Sequence, residues 1–271
     1  MASQRFVAVL GALAILVLLS GCIAFSPPAS DESESDEIEL DEPEPAALFN
    51  STFVYGDDLE DVSGEMTIEI TGGDETVSET VRVHERPYVD YYEEVLETTE
   101  SDQDGAIFAS NASGAWWYYP KSSLAQHHEA DEPFESEAVR SDRAEMAEMQ
   151  LEWYDLEYLG TEMIADRETH AVDVDLKEEA VADGVSVLIG STEYVYALET
   201  IEAPDELNIV EQTVWVDDEY DYPLKERMVF ENTDGERYEM TERFETVSFN
   251  DGLEDETFEF EPPENATVES R

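Results

Sequence analysis

One cysteine stands among 271 residues, and it closes an apolar run: Leu19-Ser20-Gly21-Cys22. A single thiol forms no internal disulfide, and one placed there looks like a lipid attachment point. Other reactive groups are scattered. The four histidines are His84, His127, His128 and His170. His127-His128-Glu129 with Asp131 holds metal-binding side chains but lacks tetrahedral Cys/His spacing, so no metal site is assigned. Glu100 to Gly105 begins like a calcium loop, yet its twelfth position is Asn111 where that loop needs Glu. No serine nucleophile elbow, phosphate loop or dinucleotide fingerprint appears. With 70 acidic residues in the chain, any carboxylate pair is expected by chance. The expectation is therefore no catalytic residues, no cofactor and no enzyme.

Residues 1–21 read as a secretory signal. Arg5 supplies the positive start, Phe6 to Leu19 carries no charge, and small residues precede Cys22. The run falls short of the roughly 20 apolar residues that span a bilayer. Its ending resembles the lipobox of prokaryotic lipoproteins, which implies cleavage before Cys22 and a lipid on that thiol. The alternative is an uncleaved anchor helix with an incidental cysteine. Both place the remainder outside the cell and tethered to the membrane. Residues 22–47, with Pro27-Pro28, the acidic run 31–37 and Glu39 to Pro45, have too little apolar surface to fold. They read as an extended, self-repelling spacer reaching about 80 Å. Asn50, Asn111 and Asn265 each begin a glycosylation acceptor triplet.

Residues 48–263 read as one domain, with 264–271 as a tail. Met66, Ile68 and Ile70 alternate with Glu65, Thr67 and Glu69, the period of a half-buried strand. Gly72-Gly73-Asp74 is a turn, Val81 and Val83 continue on a second strand, and Tyr88 to Thr98 forms a third. Ala106–Ser110 and Ala115–Tyr119 flank a hairpin turn at Asn111 to Gly114. Lys121 to Glu137 reads as polar loop, and Ser141 to Trp153 as a helix with Met146, Met149 and Trp153 at helical spacing. Strands resume at Leu156–Ile164 and His170–Leu176. Glu178 to Asn208 is ambiguous, and four strands follow near 209–217, 223–232, 237–248 and 256–261. About ten antiparallel strands with one or two helices predict a barrel or a strongly curved sheet.

Three stretches then resemble the LolA-like lipoprotein carrier superfamily. They are Asp104-Gly105 with Trp116-Trp117-Tyr118-Tyr119-Pro120; Val214-Trp215-Val216-Asp217 with Tyr222-Pro223-Leu224-Lys225-Glu226; and Phe249-Asn250-Asp251-Gly252-Leu253 with Phe258-Glu259-Phe260-Glu261-Pro262-Pro263. The resemblance implies a mainly β fold with α, a curved antiparallel sheet forming an unclosed half-barrel whose concave face is covered by one or two helices. It also implies an apolar cavity for acyl or isoprenoid chains. Residues 178–208 look longer than the family's connection there. Fourteen residues are assigned to one concave side: Met66, Ile68, Ile70, Val81, Val83, Trp116, Tyr118, Trp215, Leu224, Met228, Phe230, Tyr238, Met240 and Phe244. Each reads equally as plain core. The expected function is a monomeric lipoprotein, bound to the membrane through Cys22, that handles a hydrophobic ligand or a lipoprotein partner. The alternative is a surface sensor or protein-interaction module on the same fold with no lipid.

Charge sets the medium. Against 70 acidic residues stand 13 Lys and Arg, a formal net charge of −57. Such a chain repels nucleic acid as a partner and strains its own compact state in dilute buffer. At molar salt the screening length falls to about 3 Å and the strain fades. The composition therefore points to a halophile, a haloarchaeon in brine, with cation storage or mineral binding by dense carboxylates as the alternative. Circular dichroism during stepwise dilution is expected to show structure lost below about 1 M KCl; a cooperative fold retained in dilute buffer contradicts the halophilic reading.

Overall fold

The computed structural model describes residues 42–72, 75–99, 103–177, 208–232 and 234–270. The signal segment, Cys22, most of the spacer and the ambiguous stretch 178–207 lie outside them. Twelve strands form one sheet: β1 (Val62–Gly72), β2 (Glu75–Arg86), β3 (Asp90–Thr98), β4 (Ile107–Asn111), β5 (Gly114–Tyr119), β6 (Leu124–Glu129), β7 (Tyr154–Ile164), β8 (Arg167–Leu176), β9 (Asn208–Asp217), β10 (Pro223–Glu231), β11 (Arg237–Phe249) and β12 (Thr267–Ser270). Their order is β12-β6-β5-β4-β3-β2-β1-β11-β10-β9-β8-β7. Two meanders are thus joined where β1 pairs with β11, and the sheet stays open at β12 and β7. All pairings are antiparallel except β12 with β6. Helices α1 (Pro45–Ser51) and α2 (Ser136–Leu151) pack on one face, giving the unclosed half-barrel expected.

Several local expectations change. The polar stretch after Pro120 contains β6, in which Ala125 is fully buried opposite Tyr118, with Leu124 and Gln126 half-buried on either side. Helix α2 begins at Ser136 with no side-chain cap, and its buried residues are Ala147 and Gln150, while Met146 and Met149 are exposed. Residues near 256–261 form a 3-10 turn at Asp255–Phe258, not a strand. There Phe258 is buried beneath the Arg86 guanidinium, 4.7 Å from its ring. At the two ends, α1 starts inside the stretch read as spacer, and β12 pairs where a tail was read. At the β4–β5 turn, Gly114 has φ +145°, and a Cβ there would lie 2.1 Å from the His128 carbonyl oxygen. Only glycine fits.

Two cores hold the sheet. Leu48, Phe49 and Phe53 beside α2 pack against Tyr154, Val172, Val174, Val214 and Val216. Tyr55, Leu59 and Tyr222 pack over Val62, Met66, Val81, Val83 and Phe244. Two buried aspartates fix the chain crossings. Asp61 accepts from the backbone N–H groups of Asp251, Gly252 and Leu253, tying the start of β1 to the exit of β11. Asp217, 1% exposed, takes two hydrogen bonds from Arg167, each 2.8 Å, and accepts from the N–H groups of Glu219 and Tyr220. The Arg167 guanidinium also lies over Tyr220 and Phe249. Buried charge-assisted bonds of this kind are costly to break. Asp217→Asn is expected to lower stability by about 2–3 kcal/mol in urea unfolding at high salt; a change within the range of ordinary surface substitutions rejects this role.

Candidate functional site

Strand register decides which side chains share a face, because directly paired residues point the same way. The face under the helices carries one continuous row across six strands: Val172, Val214, Glu226, Glu242, Ile68 and Glu79. Beside it runs Gln212, Met228, Met240, Ile70 and Val77. On the other side lie Phe244, Met66, Val81 and Val95. Carboxylates therefore sit in the middle of an apolar concave surface.

Of the fourteen residues assigned to that surface, eleven share it. Met66, Val81, Val83, Leu224 and Phe244 are buried core beneath Tyr55, Leu59 and Tyr222. Met228 and Phe230 are buried too, with Tyr238 and Met240 packed beside them. Ile68, Tyr238 and Met240 keep part of their surface, and Ile70 is 40% exposed. The accessible apolar floor is thus the part of the trough away from Tyr55. Three assignments are corrected. Trp215 pairs with Lys225 and Ala171 on the opposite face, with the Lys225 ammonium 3.8 Å above its ring. Trp116 and Tyr118 pair with Ala109 and Ile107 and meet Phe260 on that same far side. Their neighbour Trp117 pairs with Phe108, which continues the row from Val83 and Glu93. Both errors are one-residue slips within runs where every residue is apolar.

The acids are what the list of apolar residues passed over. Burial pushes Glu226 up to about 8, opposed by the Gln212 side-chain amide, whose Nε2 donates to Glu226 Oε1 at 2.7 Å. Burial also raises Glu242 well above its ordinary value, and the charge of Glu93 adds to this. Glu93 is raised by burial, with the Tyr91 hydroxyl bond at 2.8 Å opposing and Glu79 adding. Glu93 and Glu242 keep some accessible surface, as befits an open trough. Next to Glu226, the Tyr154 hydroxyl and Gln212 Oε1 have no hydrogen-bond partner.

At the trough's other end a satisfied network closes the gap between helix and sheet. Tyr222 donates to Glu85 at 2.7 Å, and burial raises Glu85. Arg143 of α2 donates to the Tyr55 hydroxyl at 3.3 Å and lies over the Tyr55 and Tyr88 rings. The Tyr88 hydroxyl in turn accepts from the Tyr55 backbone N–H. Arg143 thus fastens the middle of α2 to the floor, and Arg140, one turn earlier on α2, pairs with Asp57.

The histidines do not converge. His127 stacks on Trp116 at 4.1 Å while His128, next on β6, falls on the other face. His170 bonds Tyr158 and Asp218. His84, lowered by burial, borders a shallow polar groove of about 260 Å³ on the convex face with Arg82 and Ser63. No cluster of three metal-ligating side chains occurs among the described residues. Of the acceptor triplets, Asn265 is exposed, Asn50 buries its side-chain oxygen without a partner, and Asn111 donates its amide to the Phe258 carbonyl.

No protein-family model and no curated protein matches the chain. Solved structures are similar to it. A LolA superfamily protein from Nitrosomonas europaea is 11% identical, with a TM-score of 0.33 over 79% of this chain and 96% of that one. The lipoprotein LppX of Mycobacterium tuberculosis is 13% identical, with a TM-score of 0.37 over 78% of this chain and 99% of that one. MucB in its complex with MucA from Pseudomonas aeruginosa is 12% identical, with a TM-score of 0.39 over 79% of this chain and 59% of that one. The architecture itself is an open antiparallel half-barrel under helices. Likenesses at these scores carry nothing about ligand or partner.

The raised acids make stability depend on pH. Between 4.5 and about 8 the unfolded chain has released the Glu226 proton and the folded chain keeps it. Stability from this group is complete at low pH, falls as pH rises through that window, and levels off above it. Urea melts across the window are expected to show a shallower slope for Glu226→Gln than for the parent; equal slopes contradict the buried neutral acid.

Proposed function

We propose that this chain is an extracytoplasmic lipoprotein, held to the membrane through a lipid on Cys22, whose half-barrel binds a hydrophobic ligand between sheet and helices. The observation that carries the reading is the concave face itself. Ile68, Ile70, Tyr238 and Met240 remain accessible on the side of the sheet that the helices share, while the far side is dressed with ion pairs such as Arg227 with Glu211 and Glu239. Burying an alkyl chain there gains about 25 cal/mol per Å² removed from water. Loading and release would involve α2, whose attachment through Arg143 is local. A carrier tied by its own lipid acts as a local handler or receptor, not as a shuttle between membranes. No helix among the described residues is long and apolar enough to cross a bilayer. The acidic surface suits life in brine. The activity is binding, with no reaction assigned.

A protein partner is the second reading. Met146 and Met149 are 39% and 51% exposed on α2, and flexible thioethers suit a docking surface. Native mass spectrometry of the full protein taken from its host membrane separates the two. A retained small apolar molecule is expected; an empty trough with one stoichiometric protein bound to α2 would favour the second reading instead.

A further inference from the structure

We infer that the hydrophobic ligand is a cationic amphiphile, an apolar chain ending in an ammonium group, with that group held by Glu226, Gln212 and Tyr154 on the concave face. The inference rests on the reading that the trough binds a hydrophobic ligand, and it names the class of that ligand.

The sequence around these acids is rich in positive charge, and the fold sends all of it away. Glu226 stands between Lys225 and Arg227, and Glu242 precedes Arg243. Strand alternation places Glu226 and Glu242 side by side on the concave face and puts Lys225, Arg227 and Arg243 on the other. There Lys225 meets Trp215 and Glu162, and Arg227 meets Glu211 and Glu239. Among the described residues, neither Glu226, Glu242 nor Glu93 has an ion-pair partner. A chain with 13 basic residues thus leaves these three concave-face carboxyls, among the described residues, without a cation.

The second observation is independent of the charges. Gln212 is fully buried; its amide nitrogen is used by Glu226 and its oxygen has no partner. The Tyr154 hydroxyl, on a residue 5% exposed, is likewise unpartnered and lies within electrostatic reach of Glu226. Buried polar atoms in folded proteins are nearly always bonded. Three oxygens that can accept converge here, from a carboxyl, an amide and a phenol, and the group's own donors beyond the Gln212 amide are the phenol O–H and the proton of the neutral acid. An ammonium brings three N–H donors and no acceptor, whereas a hydroxyl brings one and a carboxylate or phosphate brings none. An anionic headgroup would also face Glu226, Glu242, Glu79 and Glu93 together. A divalent metal lacks three converging carboxylate or histidine ligands among the described residues. Beyond the headgroup, Met228, Met240 and Ile70 form the adjoining row that an alkyl chain would cover.

Entry of the cation ionises an acid that the empty site holds neutral, so binding should release a proton. The groups facing Glu226 are Gln212, Tyr154 and Glu242, and those facing Glu242 include Glu93.

The test uses the full chain in lipid nanodiscs, at molar KCl so that loose attraction to the acidic surface is screened. Octylammonium, octanol and octanoate are titrated by calorimetry in two buffers of different ionisation enthalpy, with empty nanodiscs as the control. Octylammonium is expected to bind at least about tenfold more tightly than either other probe, with proton release. Glu226→Gln, a near-isosteric replacement for the neutral acid, is expected to abolish the preference and the proton release. Glu242→Gln serves as the second variant should the first fail to fold. Octanol or octanoate binding as tightly as octylammonium overturns the cationic assignment and leaves a hydrophobic ligand standing. So does an octylammonium preference that survives both substitutions. Binding by none of the three overturns the hydrophobic-ligand reading as well.

Discussion

The antiparallel pairing of β1 with β11 is the contact on which the rest depends. It joins Val62–Gly72 to a strand nearly the whole domain away, and without it the chain is two separate meanders. The pairing aligns Ile68 with Glu242 and Ile70 with Met240, so both concave rows exist only while it holds. The loop it closes is long, so its entropy must be offset before any row gains from packing. Asp61 and Asn250 reinforce the junction at its end: Asp61 receives three backbone N–H groups, and Asn250 bonds the backbone of Asp58 and Glu60. A bulge between Glu65 and Met66 shifts the register by one and sets which side chains face inward beyond it.

That junction also separates charge by face. Ion pairs concentrate on the side away from the helices, where water and salt screen them and each contributes little. The concave side holds Glu226, Glu242 and Glu93 without an ion-pair partner among the described residues, and burial raises the pKa of each. An apolar trough with uncharged acid groups tolerates an alkyl chain better than an ionised one, and can still respond to a charge brought in by a ligand. Polarity at the centre of an otherwise oily face thus becomes a means of selection instead of a defect in packing.

Much of the sheet was legible because its strands keep period two between clear turns. The segments β1 to β5 and β7 to β11 were read within a few residues. Where alternation fails, so does the reading. Trp215 lies between Val214 and Val216, and Trp116 within Ala-Trp-Trp-Tyr-Tyr, so both faces are apolar and nothing in the sequence chooses between them. β6 was hidden because its buried residue is a small alanine, on the same face as Tyr118, and Gln126 to Glu129 beyond it are all polar. The central acids had a signal that went unused. Leu224, Met228 and Phe230 alternate through Glu226, and Tyr238, Met240 and Phe244 alternate through Glu242. The same period that made those six residues inward makes the two glutamates inward. In a chain this acidic, another glutamate attracts no attention until register shows its side. The orphaned Gln212 and Tyr154 atoms had no such signal, since satisfaction is a property of tertiary neighbours alone.

The open sheet has two edges, and they are unlike. β12 is short and exposed throughout, too brief to template a neighbour. β7 is eleven residues long, with Leu159 and Met163 exposed beside Asp155, Glu157 and Glu162. In dilute solution those carboxylates keep two copies apart by repulsion. Salt concentrated enough to relieve the fold's internal strain also removes that repulsion. What then guards the edge is the water bound by its carboxylates, a shell that another chain's strand must strip away before it can dock. A strand that docks on this edge in concentrated salt therefore meets a barrier of hydration where in dilute buffer it meets one of charge.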